Sequence, residues 1–179
     1  MILLISGASH AGKTYLAQKL LEKLKYPYLS IDHLKMGLIR SHQTTLSVED
    51  DDQLTLYLWP IVQEIIKTAI ENDQNLIIEG CYIPFDWEKD FEPAYKNKIR
   101  YVCLILSETY IRKHFCQISK HARIIENRID DEWYTIDHAI AENARYHAQA
   151  KKHRLKTILI EDQYKTELEN AIHLIYESS

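Results

Sequence analysis

The sequence predicts an α/β fold in three layers, a parallel sheet of about five strands with helices on both faces. Three observations carry that prediction. Short apolar runs alternate with longer stretches whose apolar residues recur three and four apart, as strands alternating with amphipathic helices do. The first run, Ile2-Leu3-Leu4-Ile5, leads directly into Gly7-Ala8-Ser9-His10-Ala11-Gly12-Lys13-Thr14, which has the form G-x-x-x-x-G-K-[ST]. Two later runs end in a carboxylate, Asp32 and Glu79, and open parallel sheets bind ligands beyond the carboxyl ends of their strands.

Taken in order, the glycines of the first loop let the backbone curl until its N–H groups face a phosphate chain. Lys13 can reach the β- and γ-phosphates, and the Thr14 hydroxyl can sit on Mg²⁺. The helix that follows carries Leu16, Ala17, Leu20, Leu21 and Leu24 as its apolar stripe. Its N-terminus, from Lys13 through Thr14 and Tyr15 to Leu16, adds unpaired N–H groups and a positive dipole end to the attraction for an anion. Pro27 stops this helix, Tyr28-Leu29-Ser30-Ile31 reads as a second strand, and Asp32 either faces the phosphate loop or caps a helix beginning at His33.

Ser41 to Asp52 is polar and acidic and makes no core; it reads as a mobile segment or a solvated helix start. From Leu54 to Ile70 an apolar stripe at helical spacing follows, with Pro60 either kinking the helix or opening a new one. Asn75-Leu76-Ile77-Ile78-Glu79-Gly80 is a buried strand whose terminal acid stands where a carboxylate holds Mg²⁺ beside a phosphate loop. The aromatic stretch Cys81 to Trp87 is either a substrate-facing loop or a satellite core.

Arg100 to Leu106 is the fourth strand, and the helix beginning at Ser107 and Glu108 carries Arg112 and Lys113. With Lys120, Arg123 and Arg128 these make a local concentration of positive charge, either a cationic lid over about 113–130 or a solvated helix face. Ile136, Ile140, Ala144 and Ala148 mark one sparse apolar stripe on a polar helix. Thr157 to Ile160 is the last strand, and Leu168, Ala171, Ile172 and Ile175 line the closing helix.

At 179 residues the chain fits one domain, residues 1–179, with a region around 32–60 left to bind an acceptor. The formal net charge of -4 argues against general affinity for nucleic acid or an anionic membrane, while leaving room for a local basic patch. Cys81, Cys103 and Cys116 are odd in number and lack metal-type spacing, so they read as reduced thiols of a cytoplasmic protein. No stretch approaches the roughly 18 apolar residues of a membrane span. Nine histidines show no ligand spacing, which assigns no protein-only metal site.

With Gly7 to Thr14, Asp32 and Glu79 in place, the chain resembles the P-loop kinases of the nucleoside and nucleotide kinase type, and so a P-loop NTPase fold. Ile77-Ile78-Glu79-Gly80 is similar to the strand end of uridine-kinase-like and 2-phosphoglycerate-kinase-like proteins, and Ser30-Ile31-Asp32 with Leu34 resembles chloramphenicol phosphotransferase. The resemblance implies an ATP donor with Mg²⁺, a lid after the fourth strand and a small-molecule acceptor near Asp32. The acceptor would be a nucleoside, nucleotide or other hydroxylated or phosphorylated metabolite. It implies nucleotide contacts from Gly7, Ser9, His10, Ala11, Gly12, Lys13, Thr14, Tyr15 and Arg112, Mg²⁺ at Thr14 and Glu79, and catalytic roles for Lys13, Asp32, Arg123 and Arg128. Adenylate-kinase-like members carry a second lid arginine where this chain has Cys116, which puts a nucleoside monophosphate acceptor in doubt. Two other classes of nucleotide-binding protein differ from this pattern. A GTPase needs N-K-x-D, and Asn97-Lys98-Ile99-Arg100 lacks the acid; a nucleotide-binding regulator or ATPase would differ in needing no second small molecule.

Overall fold

The computed structural model describes residues 1–125 and 134–177 of the chain. Strands β1 (Ile2–Gly7), β2 (Tyr28–Ser30), β3 (Leu76–Glu79), β4 (Ile99–Leu106) and β5 (Thr157–Ile160) form one parallel sheet in the order β2-β3-β1-β4-β5. All six residues of the central β1 are buried, as a strand covered on both faces requires. Helices α1 (Lys13–Leu24), α2 (Ile31–Arg40), α3 (Asp51–Glu71), α4 (Pro93–Lys96), α5 (Glu108–Ile125), α6 (Ile136–Lys152) and α7 (Tyr164–Glu177) supply the crossovers.

Because successive strand residues point to opposite faces, the sheet carries two cores. Ile2, Leu4 and Ile78 pack against Leu58, Val62 and Ile66 of α3, with Trp87 and Phe91 closing one end. On the other face Leu3, Ile5, Ile77 and Leu104 meet Leu16 and Leu20 of α1, Ile111 and Ile118 of α5, and Leu168 and Ile172 of α7. No helix among the described residues is long and apolar enough to cross a membrane.

Three expectations change. Ile31 belongs to α2 and not to the second strand, so Ser30 is the N-cap position and Asp32 lies inside the first helical turn. Pro60 does not open a new helix: α3 runs through it, and it lies on the exposed side, where the carbonyl it leaves without a partner can bond water. On α6 Ile136 and Ile140 pack partly buried against the second core as expected, but the fully buried residues are Ala139, Asn143, Tyr146 and Ala150, while Ala144 and Ala148 are exposed. The reason is polar. Asn143 Oδ1 accepts from the Leu106 N–H at the end of β4 at 2.8 Å, and its Nδ2 donates to Ala139 O at 2.9 Å. A buried amide satisfied at both ends fixes the rotation of α6, and a search for apolar periodicity passes over it.

Most of the aromatic stretch after β3 is core. Tyr82, Trp87 and Phe91 are each about 5 % exposed, and Phe85 packs edge-on against Tyr146 with ring centroids 5.2 Å apart. The segment runs on into a single 3-10 turn at Trp87–Asp90.

Candidate nucleotide and phosphoryl-transfer site

The loop between β1 and α1 sits at the carboxyl end of the sheet, and its glycines are there for space as well as torsion. Gly12 holds φ at +96°, and a Cβ on it would lie 1.9 Å from the Tyr164 hydroxyl. A Cβ on Gly7 would lie 2.3 Å from the carbonyl oxygen of Leu104. Two tyrosines hold the loop from outside. Tyr164 Oη donates to Ala11 O at 3.1 Å, and Tyr134 Oη donates to Ser9 O at 3.3 Å. His10, at φ +58°, lays its ring against that of Tyr134 at 4.0 Å.

Lys13 is 7 % exposed and donates from Nζ to Ala8 O at 2.9 Å, so its ammonium is folded back across its own loop. Burial works against its charge, but the Cys81 thiol, Glu79 and Asp32 together outweigh that and hold its pKa above the ordinary lysine value. The Cys81 thiol, which reaches Gly7 O at 3.7 Å, is pushed up by burial, with Asp32 and Glu142 adding to the effect against the pull of Lys13. Thr14 Oγ1 donates to Glu79 Oε1 at 3.3 Å, and Glu79 is 1 % exposed. Pairing β1 with β3 in register, Ile5 beside Glu79, is what sets that carboxylate beside the loop.

Asp32 comes to the same place from α2, with Lys35 one turn on. Lys35 Nζ lies 2.8 Å from Asp32 Oδ1 and donates to Tyr82 Oη at 2.9 Å, and Tyr82 Oη donates to Asp51 Oδ1 at 2.8 Å. Burial and the bond to Asp51 push the Tyr82 phenol far up, so it stays a neutral donor. This chain of four polar groups ties α2 to the start of α3 beneath the loop.

Glu142 makes the contact that nothing in the sequence announced. It stands on α6, is 14 % exposed, and accepts from the Ser9 backbone N–H at 3.0 Å through Oε2 and from Ser9 Oγ at 3.2 Å through Oε1. A carboxylate thus occupies an N–H of the loop that the motif assigns to phosphate. His138 Nε2 is 4.0 Å from it.

The structure therefore gathers Lys13, Thr14, Glu79, Asp32 and the loop residues Gly7 to Gly12 at one sheet edge. Tyr15 lies beside Tyr164 with ring centroids 6.2 Å apart. Arg112 is not brought to the loop: it is exposed and pairs at 2.9 Å with Glu108, one turn earlier on α5. Next to it Lys113 reaches Asp162 in the β5–α7 connection at 3.2 Å. Lys120 is exposed on α5, which runs unbroken through residues 113–125; the Arg123 side chain and the whole of Arg128 lie outside the described residues. Of the residues missed, only Lys35 had a signal, its i,i+3 spacing from Asp32. Glu142, Tyr134 and Tyr164 reach the loop from 125 or more positions away.

Mg²⁺ fits the donor set as a shared ion. Thr14 and Glu79 offer a hydroxyl and a carboxylate, and no group of three His, Cys, Asp or Glu among the described residues could hold a metal alone. Nucleotide phosphates would have to complete its oxygen shell.

The family described as Zeta toxin matches residues 1–174. No curated protein matches the chain. Among solved structures, a deoxyadenosine kinase from M. mycoides with bound dATP is similar at a TM-score of 0.60 and 13% identity, over 98% of this chain and 99% of its own. A shikimate kinase from Aquifex aeolicus is similar at 0.54 and 10% identity, over 99% and 98%. A sugar kinase from Janibacter sp. is similar at 0.53 and 11%, over 97% and 93%. At such identities the likeness is one of fold, and the fold is that of the P-loop kinases.

Proposed function

From the premise that the chain belongs to the zeta toxin family, we propose that it is an ATP-dependent kinase that transfers the γ-phosphoryl group to a hydroxyl of a small-molecule acceptor. The observation that carries this is the convergence of Lys13, Thr14, Glu79 and Asp32 on one edge of the sheet, where the phosphate loop begins α1. Similarity to kinases that act on nucleosides, shikimate and sugars supports a small acceptor without choosing among them.

Each group has a part in that reaction. The Lys13 ammonium, held charged by its acidic neighbours, is released from Ala8 O to meet the β- and γ-phosphates. Thr14 and Glu79 would hold Mg²⁺, which when bound would neutralise charge developing on the phosphate oxygens. Asp32 accepts the proton of the acceptor hydroxyl as that oxygen moves in line with the γ-phosphorus. Lys35 and Tyr82 keep Asp32 in position, which makes them positioning residues. Arg123 and Arg128 are proposed as lid cations that close over the transferring group, and 113–130 as the lid; the acceptor region is proposed at 32–60.

The test is ADP release from Mg-ATP across a panel of nucleosides, nucleotides, sugar acids and antibiotics, with Lys13→Met beside the wild type. The expected result is release that needs one acceptor class and is lost in Lys13→Met, with circular dichroism unchanged. Equal release in both proteins overturns the reading, and release without any acceptor points to an ATPase.

A further inference from the structure

A second concave site lies at the other end of the sheet. It is a groove of about 420 Å³ at the start of β4 and at the turn after α6, lined by Trp87, Lys96, Arg100, Tyr101, Arg154 and Lys156, with Glu88 its one carboxylate. The loop Gly7–Thr14 leaves the opposite end of the sheet, and β4 alone, eight residues long, separates the two levels by about 25 Å.

Charge is the first argument. The chain is net -4, yet four cations to one acid line this groove, and none of the four is in an ion pair among the described residues. Local structure holds them there. Arg100 Nη1 donates to Asn97 O and Ile99 O at 3.2 and 3.3 Å, which fixes its guanidinium at the rim and leaves other N–H groups outward. Arg154, at φ +55°, turns the chain after α6, and the flanking bonds from Arg154 N to Lys151 O at 3.2 Å and Leu155 N to Ala150 O at 2.8 Å set that turn.

The second argument is independent of charge. Trp87 stacks on Tyr101 at 6.3 Å with their planes 6° apart, and it is only 4 % exposed. Its Nε1–H is buried with no acceptor among the described residues. A buried donor left unpaired is costly, so an acceptor that the donor could reach through a small shift of the Trp87 ring would be favoured. Trp59 shows the contrast, since its Nε1 donates to Asp90 Oδ2 at 2.8 Å.

We propose that this groove is a second, non-catalytic site for a small phosphate-bearing metabolite. Arginine and lysine on its rim suit phosphate oxygens, and a shift of the Trp87 ring that brings its buried N–H to the groove would add a directional donor. Its volume is in the range of small-molecule sites, and its concavity suits a compact anion better than a nucleic-acid backbone, which takes a stripe of charge.

The test reads the indole itself. Full-length protein labelled with ¹⁵N at its three tryptophans is titrated with pyrophosphate, and with NaCl at matched ionic strength, as wild type and as Lys13→Met to remove the principal cation of the phosphate loop. The Trp87 resonance is assigned by loss in Trp87→Phe or, if that variant fails to fold, by elimination with Trp59→Phe and Trp133→Phe. The expected result is a saturable downfield shift of the Trp87 Nε1–H in both backgrounds, weakened about tenfold in R154E/K156E, as loss of charge-assisted contacts should weaken it. A Trp87 resonance that ignores pyrophosphate, moves equally with NaCl, saturates identically in R154E/K156E, or responds only to a nucleic-acid duplex overturns the proposal.

Discussion

The contact between Glu142 and Ser9 makes a prediction with an unusual sign: Glu142→Gln should bind ATP more tightly than the wild type. Ser9 is the third of the eight loop residues, and its N–H and hydroxyl both donate to the Glu142 carboxylate, at 3.0 and 3.2 Å. Hydrogen bonds to a charged acceptor contribute about 1.5–3 kcal/mol each, roughly twice the neutral case. Replacing the carboxylate by an amide should weaken the pair that the nucleotide must displace by about 1–2 kcal/mol. A like charge left about 5 Å from a γ-phosphate adds repulsion of up to about 3 kcal/mol at an effective dielectric near 20, an upper bound because the side chain can swing aside. A net gain of about 1.4 kcal/mol, or tenfold in Kd, is therefore expected for ATP. ADP lacks the γ-phosphate and should change much less. Calorimetric titration of both proteins with a non-hydrolysable ATP analogue and with ADP, each with Mg²⁺, measures the difference. If the analogue binds Glu142→Gln no better, or if ADP gains as much, Glu142 does not compete with the γ-phosphate and its role on Ser9 is structural.

Asp32→Asn, which keeps shape and removes the base, should lower turnover about 10²–10⁴-fold with the true acceptor and leave ATP affinity nearly unchanged; normal turnover would return Asp32 to a structural role at the start of α2. Glu79→Gln should raise the Mg²⁺ concentration needed for half-maximal rate, whereas an unchanged Mg²⁺ dependence would remove Glu79 from the metal site. Gly12→Ala asks for φ +96° and a Cβ 1.9 Å from the Tyr164 hydroxyl, so it should abolish nucleotide binding and lower Tm, and unimpaired binding would refute the packing argument. Burial pushes the Cys81 thiol up, so its thiolate appears only as pH rises further than for an ordinary cysteine; iodoacetamide should label exposed Cys116 first, Cys81 more slowly and with a later pH onset, as peptide mass spectrometry would show.

The parts of this site that the sequence reveals share one property: they are local. The phosphate loop is eight consecutive residues, Asp32 and Glu79 end apolar runs, and a parallel sheet places every such end on one edge. The α3 and α7 stripes are visible for the same reason, since Leu58, Val62 and Ile66, or Leu168, Ala171 and Ile172, are apolar residues at helical spacing. The second half of the α6 face is hidden because its deciding residue is a buried asparagine, and hydrophobic periodicity is blind to polar groups that satisfy each other. That α3 runs on through Pro60 is hidden for a related reason, because the cost of proline in a helix depends on whether the freed carbonyl faces water.

Helix α6 shows why the remainder was hidden, and it ties the two ends of the molecule together. Its register is set by Asn143 against the end of β4, and once that rotation is fixed, Glu142 is on the phosphate loop and Tyr146 Oη donates to Cys81 O at 3.3 Å. At its far end the turn through Arg154 forms one wall of the basic groove. Nothing in 151–156 read alone separates a solvated basic run from a site, because the other cations, Lys96 and Arg100, arrive from the β4 side of the sheet. A nucleotide phosphate on the Ser9 N–H and Glu142 there are rival occupancies of one donor. A nucleotide that enters must therefore move the Glu142 side chain or α6 itself. The two are distinguishable. If the side chain alone swings, hydrogen exchange at Ala139 to Ala150 is unchanged by the ATP analogue; if the helix moves, the Leu106 N–H, which Asn143 protects, exchanges at an altered rate when the analogue binds.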